Sequence, residues 1–138
     1  MRESFEDFWK RRVDASDAFV RGIPGPLLAI SATQGQSTLF NPRGVAVVGA
    51  ANVCNANIAT ARRFAGARGT RFVTIKLAEV GDFAYWVGVQ YAEVLMEATG
   101  EWERQNLLVT EHYEYELGCW LQVHRHAHPL SAAPPAYQ

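Results

Sequence analysis

Trp120-Leu-Gln-Val-His-Arg-His126 closes a stretch, Arg71 to His128, that reads as four long β-strands joined at Gly81-Asp82, Thr99-Gly100 and Glu116-Leu117-Gly118. At roughly 9–15 residues these strands exceed the usual five or six, and long antiparallel strands curl. The turns decide the fold because they fix which side chains share a face. With Gly81-Asp82 as a two-residue loop, Leu77 faces Trp86, Ile75 faces Gly88 and Val73 faces Gln90. With Thr99-Gly100 as the next loop, Gln90 faces Val109, Gly88 faces Glu111 and Trp86 faces Tyr113. The last turn admits two readings. A two-residue Gly118-Cys119 loop puts His124 and His126 beside Glu111. A three-residue Glu116-Leu117-Gly118 loop, with Gly118 left-handed as a bulge, puts Val123, Arg125 and Ala127 there instead. The second is preferred. It gathers Val73, Ile75, Leu77, Trp86, Val94, Leu107, Val109, Leu121 and Val123 on one apolar face. It also brings Arg125 diagonally within reach of Glu111, and a buried charge is tolerable only when paired.

Upstream, Phe5, Phe8, Trp9, Val13, Phe19 and Val20 place an apolar stripe on a helix from about Ser4 to Val20, ended by Gly22. Pro24 and Pro26 mark the start of a short second helix. Thr33 to Arg43 is rich in Gln, Gly, Ser, Thr, Asn and Pro and reads as a loop. A short strand, Val45 to Val48, precedes a third helix from Ala50 to Ala65. Helices first and a meander last argue α+β: a cone, with N-terminal helices packed on a curved antiparallel sheet. One domain is expected over residues 1–130, followed by a disordered tail over 131–138.

The chain has 138 residues and a formal net charge of −1. No basic field supports nucleic-acid binding. The charged N-terminus, Met1-Arg-Glu-Ser-Phe-Glu-Asp, argues against a secretory signal, and no apolar run reaches membrane-spanning length. Cys54 and Cys119 make neither a disulfide framework nor a metal-type spacing. A reduced, cytoplasmic setting fits.

The outward face would carry Tyr85, Val87, Val89 and Tyr91 beside Leu108, Thr110, His112, Gln122, His124 and His126. It is too apolar for open solvent, which predicts a homodimer through the sheets. His124, His126 and His128 alternate on one strand, about 7 Å apart, which is long for ligands of one ion; no metal is expected.

Phe40-Asn-Pro-Arg-Gly44, Val48-Gly49, Gly81-Asp-Phe-Ala-Tyr-Trp-Val-Gly88, Val109-Thr-Glu111 and Trp120-Leu-Gln-Val-His-Arg-His126 resemble the nuclear transport factor 2-like superfamily. Within it the likeness is to the SnoaL-like, ketosteroid-isomerase-related branch and to the association domain of calmodulin-dependent kinases. The resemblance implies a cone-shaped barrel, a pocket between sheet and helices, and a dimer packed through the sheets. It also implies a choice among isomerase, polyketide cyclase, hydrolase, dehydratase and non-catalytic assembly roles. Kinase-type relatives carry pocket arginines at positions matching Gln90, Glu111 and Ala127, and this chain has none of the three.

On the inner face the catalytic candidates are Glu111, Tyr113 and Arg125. A carboxylate in a dry pocket rises in pKa and an adjacent arginine lowers it, which is the tuning an acid or base requires. Trp86, Gly88, Gln90, Val109 and Val123 are the substrate-binding candidates, with Trp86 a flat apolar wall and Gly88 a source of room. The expected activity is cofactor-free isomerase or cyclase chemistry on a small apolar, polyketide- or steroid-like molecule bearing a carbonyl or hydroxyl. The alternative is a non-catalytic dimeric ligand-binding or assembly domain.

Overall fold

Ser4 caps α1 (Phe5–Val20), its hydroxyl accepting from the Asp7 amide. The computed structural model describes residues 2–131. The expected tail therefore lies outside the described residues, apart from Ser131. After α1 come α2 (Gly25–Ala29), β1 (Thr38–Phe40), β2 (Ala46–Val48), α3 (Ala50–Ala61), β3 (Phe64–Val80), β4 (Phe83–Met96), β5 (Trp102–Arg104), β6 (Leu107–Glu116) and β7 (Cys119–Pro129). The sheet order is β2-β1-β7-β6-β4-β3, with β5 also paired to β4. N-terminal helices on a large curved sheet make the α+β architecture expected.

The sheet is mixed rather than wholly antiparallel. Within the loop read at Thr33 to Arg43, β1 pairs in parallel with β7, setting Leu39 beside Arg125. A three-residue strand carries too little periodicity to be seen in a sequence, and here it is held by its neighbours. The third helix stops at Ala61 instead of Ala65. From Phe64 the backbone joins β4, and Ala67 is buried against Val94 and Met96. The β4–β6 register also moves by two residues, because β4 runs on past Ala92 to Met96 and turns there with Gly100 N–H donating to Met96 O. An even shift keeps every side chain on its expected face.

Other register shifts do change faces, and two of them alter the expected assignments. In β3 the register slips at Ile75, so Thr74 and Phe72 turn inward in place of Ile75 and Val73. Ile75 is left 50% exposed. The last hairpin closes on neither expected loop. Glu116 pairs with Cys119 around Leu117-Gly118, both at positive φ (52° and 80°), the backbone a two-residue hairpin demands. A slip between His112 and Tyr113 then corrects the parity at Val123. As a result Trp120 and Gln122 face inward and are buried, and Leu121, expected there, pairs with outward Glu114. Beyond the bulge Arg125 stands directly opposite Glu111.

The core joins α1 to the inner sheet through Phe5, Phe8, Trp9, Trp86, Tyr113 and Trp120. Trp9 stacks on Trp86 at 4.6 Å between centroids. These rings fill one end of the cone solidly and leave the open space at the other.

Candidate functional site

A cavity of about 390 Å³ lies between the helices and the inner face of the sheet. Its inner wall combines Phe19, Val20, Leu27, Leu39, Leu107 and Ala127 with Arg12, Ser16, Asn57, Gln90 and Arg125. Its rim carries Arg43, Arg63, Glu103 and Arg104, all exposed. Each rim residue is placed by backbone. Asn41 Oδ1 accepts from the amides of Arg43 and Val45, folding Arg43 back over the opening. Arg63 follows the end of α3, and its carbonyl accepts from the Glu97 amide. Arg104 ends β5 opposite Glu93.

Behind the cavity sits a buried polar network centred on Glu111, which is 0% exposed. Arg12 Nε and Nη2 donate to its two oxygens at 2.9 and 2.7 Å. Tyr113 donates to Oε1 at 2.6 Å, and Arg125 Nη1 donates to Oε2. Gln122 Nε2 donates to the Tyr113 hydroxyl at 2.9 Å, and Arg125 Nη2 to Gln90 Oε1 at 2.7 Å. Gln90 Nε2 reaches Ser16 at 3.3 Å. Burial alone would push the Glu111 carboxyl up. Arg12, Arg125 and the Tyr113 hydrogen bond together outweigh it, and the pKa falls to about 2. Burial and the Glu111 charge both push the Tyr113 phenol well up, so it stays a neutral donor. Glu111 is thus ionised, and each oxygen accepts two hydrogen bonds.

Of the residues singled out in the sequence, Gln90 and Arg125 line the cavity. Glu111 and Tyr113 join the network but do not line the cavity. Trp86, Gly88 and Val109 lie in the solid core. Trp86 is fully buried, stacked on Trp9 and donating from Nε1 to Thr74 at 2.8 Å. A Cβ on Gly88 would stand 2.6 Å from that indole and 2.2 Å from the Val73 carbonyl oxygen, so the room this glycine opens is filled by Trp86 itself. Val123 is at the β7 bulge and lines a depression with Phe83, Tyr85, His112 and Glu114, away from the cavity.

Arg12 was not visible as a site residue. A signal existed: it stands four after Phe8 and four before Ser16, inside the apolar stripe, where an arginine requires a buried partner. The rim arginines had no such signal, since exposed charges are ordinary on any surface.

The outer-face histidines do not assemble a metal centre. Among the described residues no group of three or more His, Cys, Asp or Glu side chains could hold an ion. His124 Nδ1 shares a hydrogen bond of 2.7 Å with Thr38, and Phe40 packs edge-on against His124 and His126. No helix among the described residues is long and apolar enough to cross a membrane.

No protein-family model matches the chain, and no curated protein matches it either. Solved structures do. A proposed dehydratase of the nuclear transport factor 2-like family from Streptomyces avermitilis is 14% identical with a TM-score of 0.77, over 93% of this chain and 97% of that one. A ketosteroid isomerase-like protein from Erwinia carotovora atroseptica is 15% identical with a TM-score of 0.75, over 95% and 99%. A proposed calcium/calmodulin-dependent protein kinase type II association domain from Thiobacillus denitrificans is 17% identical with a TM-score of 0.73, over 95% and 98%. The chain has the nuclear transport factor 2-like, cystatin-like fold.

Proposed function

We propose that this nuclear transport factor 2-like chain is a small-molecule-binding domain that works as a dimer, with Glu111 as the fixed anchor of its pocket. One observation carries the choice over acid–base catalysis: Glu111 has four hydrogen bonds, no exposure and a pKa of about 2. A general acid or base must reach the proton it moves, directly or through one water, and titrate near working pH. Glu111 does neither. Its office is to hold Arg12 and Arg125 in one orientation at the cavity wall, as a supporting shell holds ligand-contacting groups. The same fold serves enzymes and assembly domains alike, so the pocket has to decide the job. A cavity of about 390 Å³ that joins an apolar wall to converging polar groups is of ligand-binding size.

The dimer is supported by the outer face, where Phe40, Val48, Ile75 and Leu108 are 38–53% exposed. Isolated apolar side chains are normal on a surface, but several spread over one side of a sheet suit an association surface.

The pocket reading is tested by titrating isotope-labelled protein with a panel of small aromatic fragments. Amide shifts should concentrate at Leu39, Gln90, Leu107 and Ala127. Shifts confined to the outer sheet face would overturn it. A reaction on any panel member that survives in Glu111→Gln would also exclude this residue as its acid or base.

A further inference from the structure

We propose that the cavity is built for an apolar organic acid, its anionic head against Arg12 and Arg125 and its hydrocarbon body along Phe19, Leu39 and Leu107. The inference rests on the pocket reading above and adds the charge of the ligand.

The buried cluster is not neutral. It sets two guanidiniums against the single carboxylate of Glu111, with Arg12 and Arg125 side chains only 3% and 15% exposed. The surplus positive charge is therefore held where water screens it poorly. Arg12 spends Nε and Nη2 on Glu111, while its buried Nη1 has no hydrogen-bond partner among the described residues. An unpaired buried donor is unfavourable, and the planar guanidinium edge matches a carboxylate better than any neutral acceptor. A ligand anion at the wall would offset the surplus charge, while Nη1, closed off from the cavity, keeps the guanidinium poorly compensated from within.

The rim agrees. Arg43, Arg63 and Arg104 line the opening and form no side-chain ion pair among the described residues, and Glu103 is the one acidic side chain lining the cavity. The chain as a whole holds 13 basic and 14 acidic residues, so five arginines at one cavity are a local excess and not a reflection of composition. Such a field concentrates anions at a cleft. None of the five stands at positions 90, 111 or 127; they come from α1, the β1–β2 turn, the segment after α3, β5 and β7. The apolar wall then separates an organic acid from a bare inorganic anion, which would gain nothing from Phe19, Leu39 or Leu107.

The experiment compares naphthalene-2-carboxylate with its uncharged, near-isosteric amide, measuring both affinities by ligand-detected NMR on the full chain. At low salt the acid should bind roughly tenfold more tightly, and the margin should shrink in about 0.3 M salt. Arg63→Glu/Arg104→Glu changes two exposed residues, so the fold is retained. It should weaken the acid and spare the amide. Equal affinities for the two probes, or an acid affinity indifferent to that double substitution, would overturn the inference and leave the pocket standing. Failure of both probes to bind would remove the pocket reading together with it.

Discussion

At the scale of single residues, Glu111 and Gly88 do work the fold cannot delegate. Removing the carboxylate leaves two buried guanidiniums facing each other, so Glu111→Gln should lose about 3–5 kcal/mol of stability in urea melts. The same group sets an acid limit. Its folded pKa lies below the ordinary value of 4.5 at about 2, so its contribution is complete above pH 4.5 and fades as pH falls towards 2. The loss should reach roughly 3 kcal/mol across that window, read from urea midpoints at successive pH values. His124 acts in the same direction at milder acidity. Burial, then His112 and His126, lower its pKa below 6.5, so protonation there also opposes folding. Gly88→Ala must displace both the Val73 carbonyl and the Trp86 ring. We expect a loss of about 1–3 kcal/mol, the range of overpacked cores, measured by thermal and urea unfolding. The Glu111–Arg125 pair was legible in the sequence because strand pairing is arithmetic. Arg12 was not read as part of it: the stripe marks an arginine in need of a partner, but that partner is 99 residues away and no local pattern names Glu111.

At the scale of elements, the hairpin between β6 and β7 shows how a wrong turn can still give a right pair. Leu117-Gly118 makes a tighter loop than expected, and the bulge at Val123 takes up the missing residue, so the parity at Arg125 is restored while that at Leu121 and Gln122 is exchanged. Bulges of this kind follow from sheet curvature, which belongs to the whole sheet and leaves no mark on a local stretch. Helix α1 was readable almost to the residue because stripe and glycine stop agree. The three-residue β1 was not. Leu117 is 96% exposed with φ at 52°, a conformation leucine adopts at a steric cost and asparagine adopts readily. Leu117→Asn should therefore raise stability by roughly 0.5–1 kcal/mol in urea melts. No gain would mean the turn relaxes without strain.

At the scale of the whole molecule, the proposed dimer rests on the outer sheet face. Val89 points outward yet is 0% exposed within one protomer, so charging it would disturb the monomer itself. Leu108, 39% exposed, and Phe40, 38% exposed, are the cleaner probes. Sedimentation at micromolar concentration should show a dimer, and Leu108→Glu/Phe40→Glu should shift it to monomer with unchanged circular dichroism. A monomeric parent protein would sink the proposal. The cone and its layers were legible from turn positions alone, since a meander of long strands has few ways to fold. The solid end and the open end were not, because that division depends on Trp9 meeting Trp86 across the core.

The parallel seam between β1 and β7 has a further consequence in time. Thr38 meets His124 across 86 residues of chain, and Arg12 meets Glu111 across 99. Contacts this distant must await loop closure, which slows folding relative to local structure. On the ribosome α1 is finished early, but its arginine stays without a counter-ion until β6 emerges, and the cavity has no floor until β7 follows. The nascent chain thus carries an exposed aromatic helix through most of its synthesis, the period in which a chaperone would find it.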